Sequence, residues 1–597
     1  MNNRLFIPAL VFLAGRNLLF SQVDFWAEPV SVTSSRLSTR IASETREVIV
    51  IKKEEIETIP AESIPDILRI SGVDVSRRGH GSVQTDLSLR GGSFEQVLIL
   101  LDGMRMNNPQ TGHFNFDLPV SVSDIERIEI LPGHSASILG PDGYNGVVHI
   151  ITRSGAGKES TVEMTGGSFG SFAISGSQTI RIGSWNHRIS AGKQISEGFR
   201  DETDYDIGQF YSYHKLQLNR SVLFGSLGWS NRDYGANGFY APYPSRETTE
   251  AWTGQAMMKT QHSSGFATLI RFSARQHEDD FILDPDRPAW YQNHHQTRTF
   301  AGEVQSHLKL TNRTELVMGL ERRVQVMAST RLGEHDRTQT GLFSEWAHYS
   351  ANKWIINLSA RLDGYEGVRF QLNPSASLSI PMMQGLKWRV SAGRAYRGPS
   401  FTELYYDSPA NQGDPNLKPE QAWSAETGLN GQIPTLQGKM TAFIRLEQNR
   451  IDWINDPESS VWHAGNRESS NVQGLSFRIN WHPTSGLQTR IHWQEFLRSE
   501  SSSNLQYSKY GFNAAQRLLR LSNTIALFLG IRQQLEVSYK QREITDEILL
   551  VDIGWYRSWK RFTLNFDVFN LLDRTYEEIP GVPMPGRHIN IGARIQL

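Results

Sequence analysis

The most constraining feature of this sequence is a period-two alternation of apolar and polar residues that recurs from about residue 155 to the end. Successive side chains of a β-strand point to opposite faces, so such a segment has one apolar side and one polar side. Residues 562–568 show the pattern with Phe562, Leu564, Phe566 and Val568. The last segment repeats it with Ile589, Ile591, Ala593, Ile595 and Leu597. The alternation predicts a large β-structure made of many such strands.

A membrane barrel fits this segment better than a soluble sandwich. A sandwich domain has about 100 residues, and residues 156–597 contain no internal repeat of that length. Tilted membrane strands of about 10 residues with their connections would fit about 22 times. The mean hydropathy of −0.42 agrees, because polar residues facing a lumen dilute the apolar ones. We therefore expect an all-β transmembrane barrel of about 22 antiparallel strands, extending over residues 156–597.

Spanning helices are excluded beyond residue 20, because no apolar run there reaches the 18 or so residues that they need. The first residues are typical of an export signal, in which Arg4 precedes an apolar stretch at 5–15. This stretch is too short to span a bilayer, which requires about 20 residues. We expect a signal peptide at 1–21, followed by a linker at 22–45.

Residues 46–155 differ from the remainder, because short apolar runs alternate there with turns and one helical segment. In residues 63–71 the helical period places Ile64, Ile67 and Leu68 on one face. Ser63 is suited to the start of this helix and Gly72 to its end. Strands are expected at 48–51, 97–101, 125–131 and 147–152. The sequence predicts a small mixed α/β domain ahead of the barrel.

Composition excludes several classes of function. The 61 basic and 62 acidic residues give a net charge of −1, so the basic footprint of a nucleic-acid-binding protein is missing. Cysteine is absent, which excludes disulfides, thiol catalysis and thiolate metal sites. The sequence also contains no nucleophile elbow, phosphate loop or HExxH motif. We therefore predict that the protein is not an enzyme.

Four segments of the N-terminal domain carry a family resemblance. They read SIPDILRISGVDVSRRG (63–79), LSLRGGSFEQVLILLDGMRMNNPQTG (87–112), DIERIEILPG (124–133) and NGVVHIITRSG (145–155). In order and spacing they resemble the plug domain of TonB-dependent outer-membrane receptors. Two later segments, RAYRGPSFTELYY (394–406) and FNLLDRTYEEIPGVPMPGR (569–587), are similar to barrel segments of the same family. The resemblance implies that residues 46–155 form a plug inside the barrel lumen.

The resemblance also implies a function. It predicts active import of a scarce metal-chelate nutrient across the outer membrane of a Gram-negative-type (diderm) bacterium, driven by a TonB-type energy-coupling protein. Cobalamin is the first candidate ligand, because the plug segments look closest to those of cobalamin receptors. A ferric siderophore is the alternative, and a passive porin or an adhesin is less favoured. A surface lipoprotein is a further partner that the resemblance allows, and no cofactor is expected apart from the structural calcium considered below.

A short segment near the N-terminus is similar to the TonB box, the segment of these receptors that TonB binds. Such a box binds by β-augmentation, in which main-chain hydrogen bonds give affinity and alternate side chains fill pockets. The alternative interpretation is an unstructured linker. The residues of the box are Glu28, Pro29, Val30, Ser31, Val32, Thr33 and Ser34.

Charged residues in the plug segments are candidates for contacts with the inner barrel wall. The resemblance implies ion pairs there for Arg90, Glu126, Arg127 and Glu129. Solvated strand charges are the alternative. A polar and breakable interface would allow the plug to be remodelled, whereas desolvation offsets much of its contribution to stability.

Ligand-facing candidates come from the plug apices and from two barrel loops. In the plug they are Arg77, Arg78, His80, Met106, Asn107, His113, Phe114 and Phe116, with the two arginines suited to an anionic group. The expected loops are 234–243 and 276–295, whose aromatic residues bury area at little entropic cost. These aromatic candidates are Tyr234, Phe239, Tyr240, Trp290 and Tyr291. Ordinary loop polarity explains the same residues equally well.

The second loop also contains a group of carboxylates that could bind calcium through oxygen ligands. The residues are Glu278, Asp279, Asp280, Asp284 and Asp286. They lack the spacing of an EF-hand, and a solvated acidic loop is therefore the preferred interpretation. The neighbouring pair His294 and His295 has no partner three or four residues away, which gives little support to a zinc site.

Overall fold

The computed structural model describes residues 36–37, 45–155, 158–365, 368–455, 461–500, 507–508, 514–542 and 546–597. The expected signal peptide at 1–21 and the expected TonB box at 28–34 lie outside the described residues. Among the helices that are described, none combines the length and the apolar character needed to cross a membrane.

The N-terminal part forms a small α/β domain between Ile49 and Thr152. Its elements are β1 (Ile49–Lys52), α1 (Lys53–Ile56), α2 (Ile64–Ile70), β2 (Asp74–Arg78), β3 (Gln84–Ser88), β4 (Val97–Leu101), β5 (Met104–Arg105), β6 (Ile125–Pro132), α3 (Ala136–Leu139) and β7 (Gly146–Thr152). Five strands form one sheet in the order β1-β6-β7-β4-β5, and β2 pairs with β3 as a separate hairpin. The predicted helix and the four predicted strands are thus confirmed.

The core of this domain lies between α2 and the five-stranded sheet. Ile67 and Leu68 of the helix and Val148 and Ile150 of β7 are fully buried in one hydrophobic cluster. Gly72 ends the helical segment with φ of 87°, a backbone conformation that glycine adopts at little cost. The same cluster contains Tyr211 of the barrel wall, so the core of the domain continues onto the barrel.

Residues 159–596 form a closed antiparallel barrel of 22 strands, which confirms the prediction of about 22. The strands are β8 (Glu159–Gly167), β9 (Phe172–Ile182), β10 (Trp185–Ser196), β11 (Tyr205–Gln217), β12 (Ser221–Gly235), β13 (Arg246–Ser263), β14 (Phe266–Ile282), β15 (Gln292–Thr311), β16 (Thr314–Ser329), β17 (Gly333–Tyr349), β18 (Ile355–Tyr365), β19 (Val368–Met383), β20 (Leu386–Arg397), β22 (Glu420–Ile433), β23 (Leu436–Asn455), β24 (Trp462–Thr484), β25 (Leu487–Glu500), β27 (Arg517–Ala526), β28 (Ile531–Gln541), β29 (Ile548–Trp559), β30 (Phe562–Phe569) and β33 (His588–Gln596). The last strand closes the barrel on the first, with Ile591 opposite Gly166.

Short elements occupy some of the connections. They are α4 (Phe401–Tyr405), β21 (Asn411–Gln412), β26 (Tyr507–Ser508), β31 (Glu577–Ile579) and β32 (Val582–Pro583). Turns of a few residues join the strands at the end where the chain enters the barrel, and longer connections such as 398–419 and 570–587 join them at the other end. Membrane barrels place short turns on the periplasmic side and long loops outside the cell, so the second end is the outer mouth.

The alternation seen in the sequence separates a lipid face from a lumen face. Along β18, Leu358 and Leu362 are exposed on the outside of the barrel, while Asn357, Arg361 and Asp363 are buried on the inside. The closing strand likewise exposes its isoleucines, with Ile591 58% exposed. The apolar face therefore points outward, as a lipid environment requires.

The N-terminal domain lies inside the barrel, which confirms the expected plug. Polar side chains of the wall reach it from widely separated strands. Examples are Arg188 of β10 bound to Asp124, Arg275 of β14 bound to the carbonyl of Phe114, and Arg520 of β27 bound to the carbonyl of Arg69.

Strand lengths correct one expectation. β14 has 17 residues and β15 has 20, although about 10 suffice to cross the membrane. The segment predicted as a single loop at 276–295 is therefore mostly strand, and only residues 283–291 connect β14 to β15. The charged ends of these strands rise beyond the membrane into water, which is why they look like a loop in the sequence.

Candidate functional site

The outer mouth carries an exposed aromatic surface. Tyr240, in the connection after β12, is 43% exposed, and Trp290, in the connection after β14, is 50% exposed. Tyr243 packs edge-on against Trp290 with ring centroids 5.3 Å apart. The Tyr291 hydroxyl lies 3.1 Å from that of Tyr406 in the connection after β20. Three connections thus contribute rings to one face, which we call the aromatic rim.

Two cations lie on the aromatic rim. The Arg287 guanidinium is 4.6 Å from the centroid of Trp290, and the Arg331 guanidinium is 4.7 Å from that of Tyr291. Arg287 also pairs with Asp284 at 2.7 Å while most of its side chain remains exposed. The rim therefore offers flat apolar faces together with positive charge.

Two of the predicted aromatic candidates have a different role. Tyr234 and Phe239 are buried in a cluster with Val83 of the plug and Tyr205 of β11. Both rings pack against Val83 of the plug, and the Phe239 ring also lies against Gly79. These contacts hold the loop after β12 on the plug. Tyr240 remains accessible above them.

Beneath the rim lies a buried polar cluster. Glu247 of β13 accepts hydrogen bonds from Tyr234 at 2.5 Å and from Tyr240 at 3.2 Å. Gln84 of the plug donates to the Tyr240 hydroxyl at 2.5 Å. Gln110 at a plug apex donates to Asp279 of β14 at 3.4 Å. The loop ring Tyr240 is thereby connected to both the plug and the wall.

The arginines at the plug apices are already paired. Arg78 donates to Asp86 at 2.7 Å, and the same carboxylate lies 2.7 Å from His113 Nδ1. Burial alone would raise the pKa of Asp86, but Arg78 and His113 together lower it below its usual range. Arg77 donates to Asp66 at 2.8 Å. An anionic ligand would have to compete with these carboxylates.

Four further plug candidates do not face the mouth. Met106, Phe114 and Phe116 are almost fully buried, and Asn107 bonds the backbone of β4 by accepting from the Ile99 amide and donating to the Val97 carbonyl. Met106 and Phe116 join the hydrophobic core of the plug, and Phe114 packs against His277 of the barrel wall with ring centroids 5.0 Å apart. This corrects the expectation that these four residues are ligand-facing. The remaining candidate, His80, lies at the plug–barrel boundary, 3.3 Å from Glu62.

The loop between β20 and β22 docks directly onto a plug apex. The amides of Phe401 and Thr402 donate to the carbonyls of Pro109 and Gln110 at 2.9 and 3.1 Å. Arg397 holds the loop from below, because it binds both oxygens of Glu403 at 2.9 Å. The motif RGPSFTELYY thus provides a contact that could transmit movement between loop and plug.

Glu95 lies beside this contact and was not singled out from the sequence. Its Oε1 accepts from the Gly112 amide at 2.8 Å and from the Thr111 hydroxyl at 3.3 Å. Burial, and then the nearby charge of Glu403, raise the pKa of Glu95 to about 8. The position of Glu95 within the family-like segment at 87–112 was the only available signal.

The interface between plug and wall contains many buried ion pairs. Arg90, one of the predicted interface residues, binds Glu426 of β22 at 2.6 Å. Sequence reasoning missed others, including Arg69 with Asp552 at 2.8 Å, Lys540 with Asp74 at 3.0 Å, and Arg188 with Asp124 at 3.0 Å. The signal for Arg69 was a buried-face helix in which only Asp66 and Arg69 are charged.

The other predicted interface charges are arranged differently. Arg127 donates to Glu129 on the same strand at 2.9 Å, and Glu129 is fully buried. Glu126 is exposed and lines a cavity of about 840 Å³ between the plug and the wall. The cavity extends from the turn after β4 to the lower halves of β13–β16.

Residues 36–37 lie at the edge of this cavity, which we call the lateral cavity. The Arg36 amide donates to Glu345 at 2.7 Å, and its guanidinium binds Glu303 at 2.8 Å and lies 3.8 Å from the ring centroid of Phe343. Leu37 packs in a cluster with Phe343 and Ala347. The chain just after the expected TonB box is therefore held on the inner wall.

The carboxylates proposed for calcium do not form one cluster. Asp279 is buried on the lumen side of β14, whereas Glu278 and Asp280 point to the opposite side. Asp280 lies 2.7 Å from His294, and Asp284 is paired with Arg287. Opposite faces of a strand cannot provide converging ligands, so these carboxylates are not arranged as the shared calcium site that was the less favoured interpretation.

Comparisons with known proteins agree with this architecture. A family model described as "TonB dependent receptor-like, beta-barrel" matches residues 158–571, and one described as "TonB-dependent Receptor Plug Domain" matches residues 40–147. The chain is 25% identical to the vitamin B12 transporter BtuB of Photobacterium profundum, over 96% of each chain. It is 23% identical to the protein of the same name from Vibrio cholerae, over 95% of each.

Solved structures share the fold at lower identity. The siderophore receptor PirA from Acinetobacter baumannii gives a TM-score of 0.78 at 13% identity, covering 92% of this chain and 98% of that one. A mutant of the ferric enterobactin receptor PfeA from Pseudomonas aeruginosa, in complex with enterobactin, gives 0.76 at 16% identity, covering 93% and 100%.

Proposed function

The chain belongs to the TonB-dependent receptors of the outer membrane of Gram-negative-type bacteria, and from this premise we propose that it imports cobalamin using energy from a TonB-type protein. The family consists of receptors and transporters, and we propose no catalytic step and no organic cofactor of the receptor's own. The observation that carries the proposal is a barrel whose lumen is filled by the chain's own plug, with the plug bound to the wall through polar contacts.

Polar contacts suit a gate that must open. Buried ion pairs hold the plug while water is excluded, and water can replace each contact once the plug moves. An apolar interface of the same size would resist such hydration. A passive porin needs no occluding domain, and the plug therefore argues against that function and against an adhesin.

The choice of cobalamin rests on two independent features. The relatives matched over nearly the whole chain are named vitamin B12 transporters. The aromatic rim also offers exposed rings, Tyr240 and Trp290, to a bulky ligand with flat faces. Aromatic side chains bury a large area at a small entropic cost, which suits a ligand present at low concentration.

An anionic ferric siderophore is the second candidate. The specific observation in its favour is the pair of cations on the rim, Arg287 over Trp290 and Arg331 over Tyr291. Guanidinium groups recognise oxygen-rich anions through charge-assisted hydrogen bonds. The solved siderophore receptors do not decide the question, because their identity to this chain is low enough to indicate the fold alone.

Energy coupling is proposed to act through residues 28–34. Just after these residues, Arg36 is bound to the wall at the edge of the lateral cavity. A force applied to residues 28–34 would therefore act on the Arg36 contacts before it acts on the plug. We also propose that a surface lipoprotein could assist capture at the outer mouth, where the long connections lie.

Competition binding to the purified receptor separates the ligands. Radiolabelled cyanocobalamin is titrated in detergent, with unlabelled cobalamin, a ferric catecholate and a ferric hydroxamate as competitors. We expect saturable binding that only cobalamin displaces. Saturable binding of a ferric chelate without any cobalamin binding would exclude the first candidate. In cells, uptake should stop when the proton-motive force is collapsed, and continued uptake would exclude an energised gate.

A further inference from the structure

Three side chains with metal-ligating atoms converge where the plug meets the last barrel strand. Glu62 precedes α2, His80 follows β2, and His588 is the first residue of β33. Glu62 Oε1 lies 3.3 Å from His80 Nε2 and 3.8 Å from His588 Nε2. Within the part of the chain that the structure describes, this is the only group of three or more such residues whose ligand atoms all lie within 4.8 Å of one another.

The spacing leaves room for a cation between the ligand atoms. Two bonds of about 2.0–2.1 Å at a tetrahedral angle place their ligand atoms about 3.3 Å apart. A direct charge-assisted hydrogen bond would instead bring nitrogen and oxygen to about 2.7–2.9 Å. Both histidines lie farther from the carboxylate than such a bond requires.

Outer contacts orient two of the three ligands. His588 Nδ1 lies 2.9 Å from the Gly586 carbonyl, a bond in which Nδ1 carries the hydrogen, and its Nε2 faces Glu62. Asn590 donates from Nδ2 to Glu62 Oε1 at 2.6 Å. Histidines that ligate metals commonly donate their second ring N–H to a carbonyl or carboxylate, and ligating carboxylates are themselves hydrogen-bonded.

Two phenylalanine rings pack against the imidazole rings and restrict their orientation. Phe569 stacks on His588 with centroids 5.0 Å apart and an interplanar angle of 18°. Phe169 lies 5.4 Å from His80 and 5.6 Å from His588. A cavity of about 160 Å³, lined by Glu62 and Asn590 among others, adjoins the group and has room for water ligands.

We propose that Glu62, His80 and His588 bind one divalent transition-metal ion of the zinc class, with water completing the coordination, and that this ion ties the plug to the barrel. Imidazole and carboxylate ligands suit zinc, cobalt and nickel. Two ligands come from the plug and one from the wall, so the ion stabilises the closed arrangement by binding that arrangement alone. The alternative is a hydrogen-bonded cluster without a metal.

The test uses the full-length receptor in detergent, without a histidine tag and stripped of metal by EDTA. Co²⁺ is titrated and followed by visible absorption and calorimetry, and Zn²⁺ is then added as a competitor. We expect one Co²⁺ per chain, displaced by Zn²⁺. His80→Gln on the plug and His588→Gln on the barrel should each weaken binding roughly 100-fold or more, and Asn590→Ala about 10-fold, as expected for an outer contact.

His262→Gln is the matched control, because His262 is an exposed histidine that contacts Thr268 at the opposite end of the barrel. This variant should bind Co²⁺ as the unchanged receptor does. Circular dichroism and heat-dependent gel mobility establish that each variant barrel is folded. A zinc-edge anomalous peak beside Glu62 in crystals of the unchanged receptor would support the site independently of any variant.

Two results would overturn the proposal. One is the absence of stoichiometric Co²⁺ or Zn²⁺ binding by the unchanged receptor. The other is full affinity in folded His80→Gln and His588→Gln variants, which would place the bound metal elsewhere. Hydrogen exchange measures whether the ion links the plug to the barrel. Zn²⁺ should slow the exchange of plug amides near residue 80 in the unchanged receptor and should not slow it in His588→Gln.

Discussion

Arg90 of the plug donates a hydrogen bond from Nη1 to Oε2 of Glu426 on the barrel wall, over 2.6 Å. Both side chains are buried, and the same guanidinium also binds Glu47 at 3.2 Å and lies 4.5 Å from the ring centroid of Phe443. Burial would raise the pKa of Glu47, but Arg389, Arg478 and Arg90 lower it below its usual range. The pair therefore belongs to a network that joins β22, β23 and β24 to the plug.

Arg90→Ala should loosen the plug. Removing one partner of a buried ion pair leaves an uncompensated charge and costs about 3 kcal/mol or more. This corresponds to roughly 100-fold faster opening of the plug sheet. The rate of hydrogen exchange at the amides of β4 measures this opening.

Asp206→Ala provides the control for Arg90→Ala. Asp206 pairs with Lys193 on the barrel, but about half of each side chain is exposed. Exposed pairs contribute about 1 kcal/mol or less. Equal exchange rates in the two variants would contradict a mechanical role for the Arg90 network.

Glu95 should make the contact between plug and loop dependent on pH. An unfolded glutamate loses its proton at about pH 4.3, whereas folded Glu95 keeps its proton up to a pKa of about 8. Between these values the folded state binds more protons than the unfolded state, so its stability falls as the pH rises. Calorimetry at pH 6 and pH 9 should show a lower melting temperature at pH 9.

Glu95→Gln keeps the neutral form at every pH and should flatten this dependence. Glu126→Gln, which changes an exposed plug carboxyl on the lateral cavity, should retain it. The same pH dependence in all three proteins would show that Glu95 does not cause it.

The aromatic rim should contribute directly to ligand affinity. Tyr240→Ala and Trp290→Ala each remove an exposed ring, and loss of an aromatic anchor typically costs about 2 kcal/mol, or more than 10-fold in Kd. Equilibrium binding of cyanocobalamin measures the change. Phe528→Ala removes a ring that is 76% exposed at the opposite end of the barrel and should leave Kd unchanged. If the two rim variants bind normally, the ligand does not rest on these rings.

Deletion of residues 28–34 should abolish energised uptake and preserve binding. A finer test compares Val32→Pro with Val32→Ala. Proline removes the backbone N–H that β-augmentation needs, whereas alanine keeps it. Transport of labelled cobalamin into cells should fail with proline and persist with alanine. Normal uptake by the proline variant would assign this segment to a passive linker.

A disulfide between Leu37→Cys and Ala347→Cys should block transport reversibly. The two side chains pack in one cluster on the wall, and the chain has no cysteine of its own to interfere. Oxidation should stop uptake without changing ligand affinity, and a reductant should restore it. Each single cysteine variant is the control. Uptake that continues in the oxidised double variant would mean that residues 36–37 can remain on the wall during transport.

Much of the fold follows from local rules. The alternation in β18 predicts which residues face lipid, because Leu358 and Leu362 can only be accommodated outside while Arg361 and Asp363 need polar partners inside. Helix α2 is equally predictable, since its apolar period and flanking residues agree with each other. Such features depend on neighbours in the sequence.

Contacts that depend on the closed barrel were harder to predict. Asp279 looks like part of an acidic loop until the register of β14 places it in the lumen next to Gln110. Phe114 and Phe116 look like exposed loop residues in the sequence, but Phe114 is covered by the wall and Phe116 is buried in the plug core. The group at Glu62 joins positions more than 500 residues apart, and no local pattern encodes it.

The lateral cavity makes the contacts between the plug and the barrel wall asymmetric. Among the residues that the structure describes, a cavity separates the plug from the lower halves of β13–β16, and Arg36 of the leading chain is attached at the edge of that cavity. A force applied there acts off-centre and produces a torque. The plug would tilt toward the cavity, and its ion pairs with the opposite wall would then break one after another. Breaking them in sequence requires a lower maximum force than breaking all of them at once.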